Sequence, residues 1–319
     1  MKKFKKISLI ILVQITILAL TSKNGNAQGF SLTTSLGVSN YLGDLGTEGN
    51  TTAYKPDFSV GASYDLLNRL RLRLNLSALS VQGDDVNSTT KGVKNRNLSF
   101  KSQIQEAALL AEFDILDNSF NSIIPYVFAG PSVYHFDPHP LRPLSRYGDV
   151  SLRSLGTEGQ FIPGNKYADS KYSLTQLNIQ FGLGVRFEIS EKVSLGFEAN
   201  YRNLFTDYLD DVSSNHYIAP STWDQGVLDA GGENTALGKQ LRMAQAYAWN
   251  NRIDAKTGLS VLPTEANASF PRGNPSKNDA YYSYQVRLNI NLSSIDGGSA
   301  FYSPRNPSGR KQLRCARVY

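Results

Sequence analysis

Tyr282-Ser283-Tyr284-Gln285-Val286-Arg287-Leu288-Asn289-Ile290-Asn291-Leu292 alternates without a break. Tyrosines and aliphatics hold one parity; Ser, Gln, Arg and Asn hold the other. Successive side chains of a strand point to opposite faces, so this stretch predicts a β-strand with one apolar and one polar face. Thr175, Leu177, Ile179, Phe181, Leu183, Val185 and Phe187 repeat the pattern against Gln176, Asn178, Gln180, Gly182, Gly184 and Arg186. Phe30 to Val38, Phe58 to Tyr64, Leu70 to Ala78 and Val193 to Tyr201 follow the same rule. Leu98 to Phe113 and Pro125 to Phe136 also read as strands, with their facing left open. The count is about eight, each long enough to cross a bilayer when tilted.

Alternation does not say which face points outward, because a soluble eight-stranded barrel buries its apolar set and a membrane barrel exposes it. Two features favour the membrane. The polar parity carries Arg71, Arg73, Glu106, Glu112, Arg186, Glu198, Arg202 and Arg287 on several strands, and opposite charges on one internal face can pair across a lumen. The connections also alternate in length. Short turns fall at Asn68-Arg69, Leu116 to Ser122 and Ser190 to Lys192. Long ones run roughly Ser39 to Lys55, Gln82 to Asn97, Asp137 to Lys171 and Leu204 to Asp279. Short periplasmic turns and long extracellular loops belong to outer-membrane barrels. The expected fold is an all-β, eight-stranded antiparallel transmembrane β-barrel.

The chain opens with a basic run, Met1 to Lys6, then an apolar stretch from Ile7 to Leu20 and the small-residue site Gly25-Asn26-Ala27. That order predicts a signal peptide over 1–27 and export to the outer membrane of a Gram-negative bacterium. The five lysines among those residues leave with it, so 28 basic side chains remain against 27 acidic ones. A near-neutral balance gives no reason for a nucleic-acid partner. No apolar run after the signal nears the length of a spanning helix, and a negative mean hydropathy is compatible with a barrel whose strands are half polar. Residues 28–292 are read as the barrel. Within the longest connection, Thr235 to Trp249 has helical spacing of Leu237, Leu241, Ala244 and Ala248, and predicts a surface helix over the barrel mouth. After Leu292 the composition turns to Gly, Ser and Pro with five basic residues against one acid, so 293–319 reads as a basic periplasmic tail. Arg310, Lys311, Arg314 and Arg317 could contact lipid headgroups or an acidic partner there. Cys315 reads as a free thiol, with intermolecular pairing left open.

Several longer strings carry a resemblance. Ser39-Asn40-Tyr41-Leu42-Gly43-Asp44-Leu45, Arg96-Asn97-Leu98-Ser99-Phe100 and Leu155-Gly156-Thr157-Glu158-Gly159 lie in or beside the first three long connections. Phe205-Thr206-Asp207-Tyr208-Leu209-Asp210-Asp211-Val212-Ser213 opens the fourth; Arg272-Gly273-Asn274-Pro275 and Asn278-Asp279 close it. In this order they resemble a Bacteroidota family of outer-membrane barrels that includes PorG, a component of the type IX secretion system. The resemblance implies an outer-membrane barrel and suggests a link to protein secretion, with periplasmic secretion-ring proteins as partners. The basic extension after Leu292 departs from what it implies.

Other chemistries are weighed on their residues. Asp84-Asp85, Asp207, Asp210, Asp211 and His216 could meet over the mouth and activate water as a protease does; the plainer reading has these acids capping turns on solvated loop tips. The same acids could hold Ca²⁺, although no calcium-loop spacing is present. His135 and His139 flank Asp137 without an evident third metal ligand, so they read as rim residues. Gly43, Gly46, Gly156 and Gly159 read as turn glycines rather than a phosphate cradle. Tyr126, Phe128, Tyr134, Phe136, Tyr281, Tyr282 and Tyr284 are expected in an outward interfacial girdle. The expectation is therefore a non-enzymatic scaffold or secretion accessory with no cofactor, in contact with outer-membrane lipid. A small ligand-binding or narrow-channel barrel and an outer-membrane hydrolase are the alternatives.

Overall fold

The computed structural model describes residues 29–45, 53–88, 91–116, 121–143, 147–164, 171–190, 192–214, 216–249 and 272–292. The segments read as export signal and basic tail lie outside the described residues, as does Cys315. Eight strands follow in order: β1 (Phe30–Leu42), β2 (Lys55–Leu67), β3 (Leu70–Asp84), β4 (Ser99–Asp114), β5 (Ile123–His139), β6 (Thr175–Glu188), β7 (Val193–Leu204) and β8 (Ala280–Asn291). Each pairs antiparallel with the next, and β8 returns to β1 from Ser31↔Asn291 to Leu42↔Ala280, closing a barrel. Closure satisfies every ladder and leaves no edge, the condition a sheet must meet in hydrocarbon. Among the described residues no helix is long and apolar enough to cross a membrane. The short turns gather at one end and the long connections at the other.

The strands are 12 to 17 residues long. A tilted strand needs only about 9–11 to cross a bilayer, so the surplus must stand clear of it. The side chains mark where. On β3, Arg73, Asn75 and Ser77 point inward while Leu72 and Leu74 point outward, 37% and 49% exposed. Beyond Ala78 the polarity inverts: Leu79 and Val81 are buried inward, and the parity of Ser80 and Gln82 faces out. β4 inverts likewise, with Phe100 and Ile104 buried inside opposite outward Lys101, Gln103 and Gln105. Below the inversion the barrel presents apolar residues to lipid around a polar lumen. Above it the same strands enclose an apolar core and meet water. Outward Leu36, Leu177, Leu183 and Phe197 are more than half exposed, an arrangement that only a hydrocarbon surrounding makes favourable.

The apolar core above the inversion is completed by the long connections. Among the described residues they carry four α-helices, α1 (Lys91–Arg96), α2 (Leu152–Leu155), α3 (Pro220–Asp229) and α4 (Ala236–Trp249). Tyr41, Phe100, Leu155, Tyr172, Leu209, Trp223 and Leu241 belong to one continuous cluster, so strand ends and loops make a single cap. The helix expected from Thr235 appears as α4, yet it is more than a surface helix, since Leu241, Ala244, Tyr247 and Trp249 are buried. α3 was not anticipated; Pro220 in its first turn is the signal, because proline lacks only a donor that the helix start leaves unpaired anyway.

The girdle expectation needs correcting. Tyr126, Phe128, Tyr134, Phe136 and Tyr281 all point into the barrel, none more than 3% exposed; only Tyr282 and Tyr284 face outward. Glycines on the next strand explain two of them. Tyr126 pairs with Gly184 and Phe128 with Gly182, and each ring lies 2.5 Å from where the glycine's Cβ would stand. Buried arginines explain the preference further. Arg73 lies over the Phe128 ring at 4.9 Å, Arg186 over Tyr126 at 5.5 Å and Arg202 over Tyr281 at 5.3 Å. An inward ring gives a guanidinium both packing and a cation–π partner.

Candidate functional site

Two polar assemblies are stacked along the barrel axis. The lower one fills the lumen around Glu112, which is fully buried. Its Oε1 accepts from Arg71 Nη1 at 2.9 Å and Arg186 Nη1 at 2.7 Å, and its Oε2 from Arg73 Nη1 and Arg287 Nη1 at 2.9 Å each. Glu198 shares Arg73 and Arg287 at 3.0 and 2.9 Å and accepts from Tyr126 Oη at 2.8 Å. Higher up, Glu106 meets Arg202 Nε at 3.3 Å, Tyr281 Oη at 2.6 Å and Asn178 Nδ2 at 3.2 Å. All eight charged residues named on the polar parity thus lie in these two clusters. Asp65, Asp114 and Glu188 join the lower one through Arg71 and Arg186. Such charges are tolerable in a narrow lumen only because each is paired and hydrogen-bonded.

The upper assembly lies in the cap, and the strings that carry the family resemblance meet there. Arg96, at the end of α1, grips Asp85 with Nε at 2.7 Å and Nη2 at 2.8 Å. Its Nη1 donates to the Arg272 carbonyl at 2.5 Å, and Nη2 also reaches the Asp44 carbonyl. One side chain therefore ties the first, second and fourth long connections together. Arg272 Nη1 binds Glu158 at 2.5 Å, and Glu158 Oε1 accepts from the backbone of Ser213 and Ser214. Asp211 accepts from Tyr172 Oη at 2.6 Å and Thr157 Oγ1 at 2.5 Å. It has a left-handed φ of 65°, which Asp tolerates better than most residues. Tyr41 Oη lies 2.7 Å from both Asp210 Oδ2 and Asp279 Oδ1.

The picture of acids on solvated loop tips is therefore wrong for most of them. Asp85, Asp210 and Asp211 are at most 1% exposed, and Asp207 is 6% exposed. Burial raises the pKa of Asp85 even beside Arg96, and it pushes both Asp207 and Asp211 up to about 7. Asp210 and Asp279 are raised well above the usual carboxylate range, by burial first and then by mutual repulsion for Asp210 and the nearby Asp207 for Asp279. The consequence for stability has a definite sign. Asp207 and Asp211 release their protons near pH ~4 when unfolded but hold them to about pH 7 when folded. The folded cap binds these protons more tightly in between, so the contribution of Asp207 and Asp211 to its stability is fully present below ~4 and is lost as pH rises through about 7.

The arrangement does not form a water-activating pair. Asp84 caps the Val86 amide and pairs with Arg142, Asp85 is held by Arg96, and His216 is exposed. The space beside Asp210 and Asp211 is about 20 Å³, room for about one water and no substrate. His139 lies between Asp149 (Nδ1, 3.0 Å) and Asp137 (Nε2, 3.2 Å), while His135 turns to Thr175. Among the described residues no three His, Cys, Asp or Glu side chains converge to hold a metal ion. A concavity of about 750 Å³ lies on the outer wall against Ala111, Ala129, Phe181, Leu183 and Tyr201. Its lining is almost wholly apolar, without the convergent polar groups a substrate site uses.

A family model described as "Outer membrane protein beta-barrel domain" matches residues 10–227. No curated protein matches the chain by sequence. Among solved structures, Neisserial surface protein A (NspA) is 9% identical, with a TM-score of 0.38, over 83% of this chain and 98% of that one. OprG from Pseudomonas aeruginosa is 10% identical, with a TM-score of 0.36, over 82% and 95%. The outer membrane enzyme PagL is 14% identical, with a TM-score of 0.29, over 82% and 99%.

Proposed function

We propose, for a chain that belongs to the outer membrane protein beta-barrel domain family, the role of a non-enzymatic scaffold that displays a folded cap from the outer membrane and serves protein secretion as an accessory component. The barrel sits in the lipid bilayer, with its short turns in the periplasm and its long connections outside. The observation that carries the proposal is the use made of the polar residues. Arg73 and Arg287 of the lumen pair with Glu112 and Glu198, Arg96 of the cap binds Asp85, and Arg272 binds Glu158 from another connection, so these charges are committed to holding a shape. A catalyst leaves polar groups facing a substrate; a scaffold commits them internally and presents the surface so formed.

The link to the type IX machinery rests on the strings from Ser39 to Asp279 that resemble the PorG family, and these are the strings that build the cap. Its partners would be periplasmic secretion-ring proteins, reached through the turns and through Arg310, Lys311, Arg314 and Arg317. Crosslinking and pull-down from native outer membranes, with the full chain and with a chain ending at Leu292, tests this. Ring proteins are expected with the full chain, and their loss on truncation places the contact in the tail. Recovery of abundant membrane neighbours alone from both chains would end the secretion reading while leaving the barrel intact.

A further inference from the structure

The base of the fourth long connection is held by an arrangement that needs one more proton than its side chains carry when ionised. Tyr41 stands at the outer end of β1, Asp210 in the fourth connection, and Asp279 at that connection's far end beside β8. Each carboxyl approaches the phenol oxygen at 2.7 Å. A phenol has one hydrogen to donate. If it donates to one carboxylate, the other contact is a hydrogen bond only when that carboxyl carries a proton and donates to the phenol oxygen. The remaining carboxyl oxygens are fixed as well: Asp279 Oδ2 accepts from Leu209 N and Asp210 Oδ1 from Val212 N, both at 2.9 Å. Both carboxyls are thus pinned at the phenol.

Among the described residues no lysine or arginine is ion-paired or hydrogen-bonded to Asp210 or Asp279. Arg96 is the guanidinium that senses Asp210, and it is committed to Asp85 and to the carbonyls of Arg272 and Asp44. The other ionisable groups facing the pair are Asp44 from the first connection, Asp207 from the fourth, Tyr134 from β5 and Tyr172 before β6. All are acids or phenols. No three carboxylates here take up metal-ligating geometry among the described residues, which leaves the proton as the neutralising species.

We propose that Tyr41, Asp210 and Asp279 form a proton-held latch, closed while the two carboxyls share a proton across the phenol and released when that proton leaves. Release sets two carboxylates against one phenol oxygen, with Asp44 and Asp207 close by. The segment from Phe205 to Asp211 then separates from β1 and β8, and α3 and α4 move with it. The latch is independent of what the cap binds, so it stands or falls apart from the secretion reading.

The chain supplies its own reporter. Its two tryptophans, Trp223 and Trp249, both lie in the cap helices, so tryptophan emission reads the cap and not the barrel. The full chain, folded in phosphatidylcholine vesicles, is titrated from pH ~5 to ~9, below the ordinary tyrosine range near ~10. A reversible red shift is expected as pH rises, while the gel mobility of the folded barrel stays constant. Asp279→Asn and Asp210→Asn each supply a side-chain donor that does not ionise. Each is expected to move the transition upward by ~1 pH unit or more, or to remove it. Tyr41→Phe takes away the bridge and is expected to move the transition downward. The shift between chains is the readout, and Asp210→Asn is the variant that leaves the repulsion between Asp207 and Asp279 in place. Emission in the native chain that stays flat across the range overturns the latch, and so do asparagine variants that open at the native midpoint.

Discussion

Glu112→Gln is expected to prevent stable insertion of the barrel. Glutamine keeps the shape but loses the charge at a point where four guanidiniums converge, from Arg71, Arg73, Arg186 and Arg287. Breaking one buried pair by removing a partner costs about 3–5 kcal/mol, because it leaves an uncompensated charge. Here one carboxylate serves arginines from β3, β6 and β8, so the cost stands at or above that range. The loss is of the order of a small domain's whole stability. The folded band on unheated gels should vanish, or the urea midpoint for unfolding from vesicles should fall steeply. Adding Arg287→Met should restore part of the loss, since removing both partners of a buried pair costs far less than removing one. A single variant that folds with an unchanged midpoint would mean that the lumen is wet enough to screen these charges.

Arg96→Ala is expected to act on the cap and spare the barrel. Its guanidinium holds Asp85, which is fully buried, and two carbonyls from other connections. Removing it leaves Asp85 without its ion pair, again about 3–5 kcal/mol by the same reasoning. The damage falls outside the membrane, where the connections can open into water. Limited proteolysis should therefore cut within the long connections while the gel mobility of the folded barrel persists. Arg96→Lys should not rescue, because an ammonium cannot grip both carboxylate oxygens and two carbonyls in one plane. Protease resistance equal to that of the native chain would remove Arg96 from its place as the tie between connections.

Strand number and closure were legible because alternation at period two is strongest where one face meets lipid and the other a polar lumen. The strand ends were not. Val38, Ala78 and Tyr201 looked like ends, whereas the strands continue to Leu42, Asp84 and Leu204. The pattern does not stop at these points; it changes phase, as Leu79 and Val81 turn inward where Arg73 and Asn75 had been. A reading that expects one constant phase takes the inversion for a turn. β5 was opaque for a related reason. Tyr126, Phe128 and Tyr134 share one parity and Val127 and Val133 the other, so both faces look apolar. Gly182 and Gly184 on β6 held the missing information, since an inward glycine makes room for a ring from its neighbour.

The cap was the least legible part. Long connections rich in Asp, Asn and Ser read as solvated, yet Leu98, Tyr172, Leu209, Trp223 and Trp249 are too apolar for exposed loops. Their number was the clue that the connections pack into a core of their own. Sequence order could not show that Asp44, Asp85, Thr157, Asp211 and Arg272 meet, because they come from four separate connections and only the closed barrel brings those together.

Single-channel recording in a planar lipid bilayer tests the central claim, that the lumen is filled by its own charge network and the protein works by the surface it holds. Eight strands leave an interior just wide enough for side chains. Glu112, Glu198, Arg73, Arg186 and Arg287 occupy it with at most 4% exposure. The native chain is expected to pass no steady current at either polarity, and to remain silent at the alkaline end of the latch titration, since the plug lies below the cap. A steady ohmic current from the purified native chain would contradict the account and make the barrel a channel.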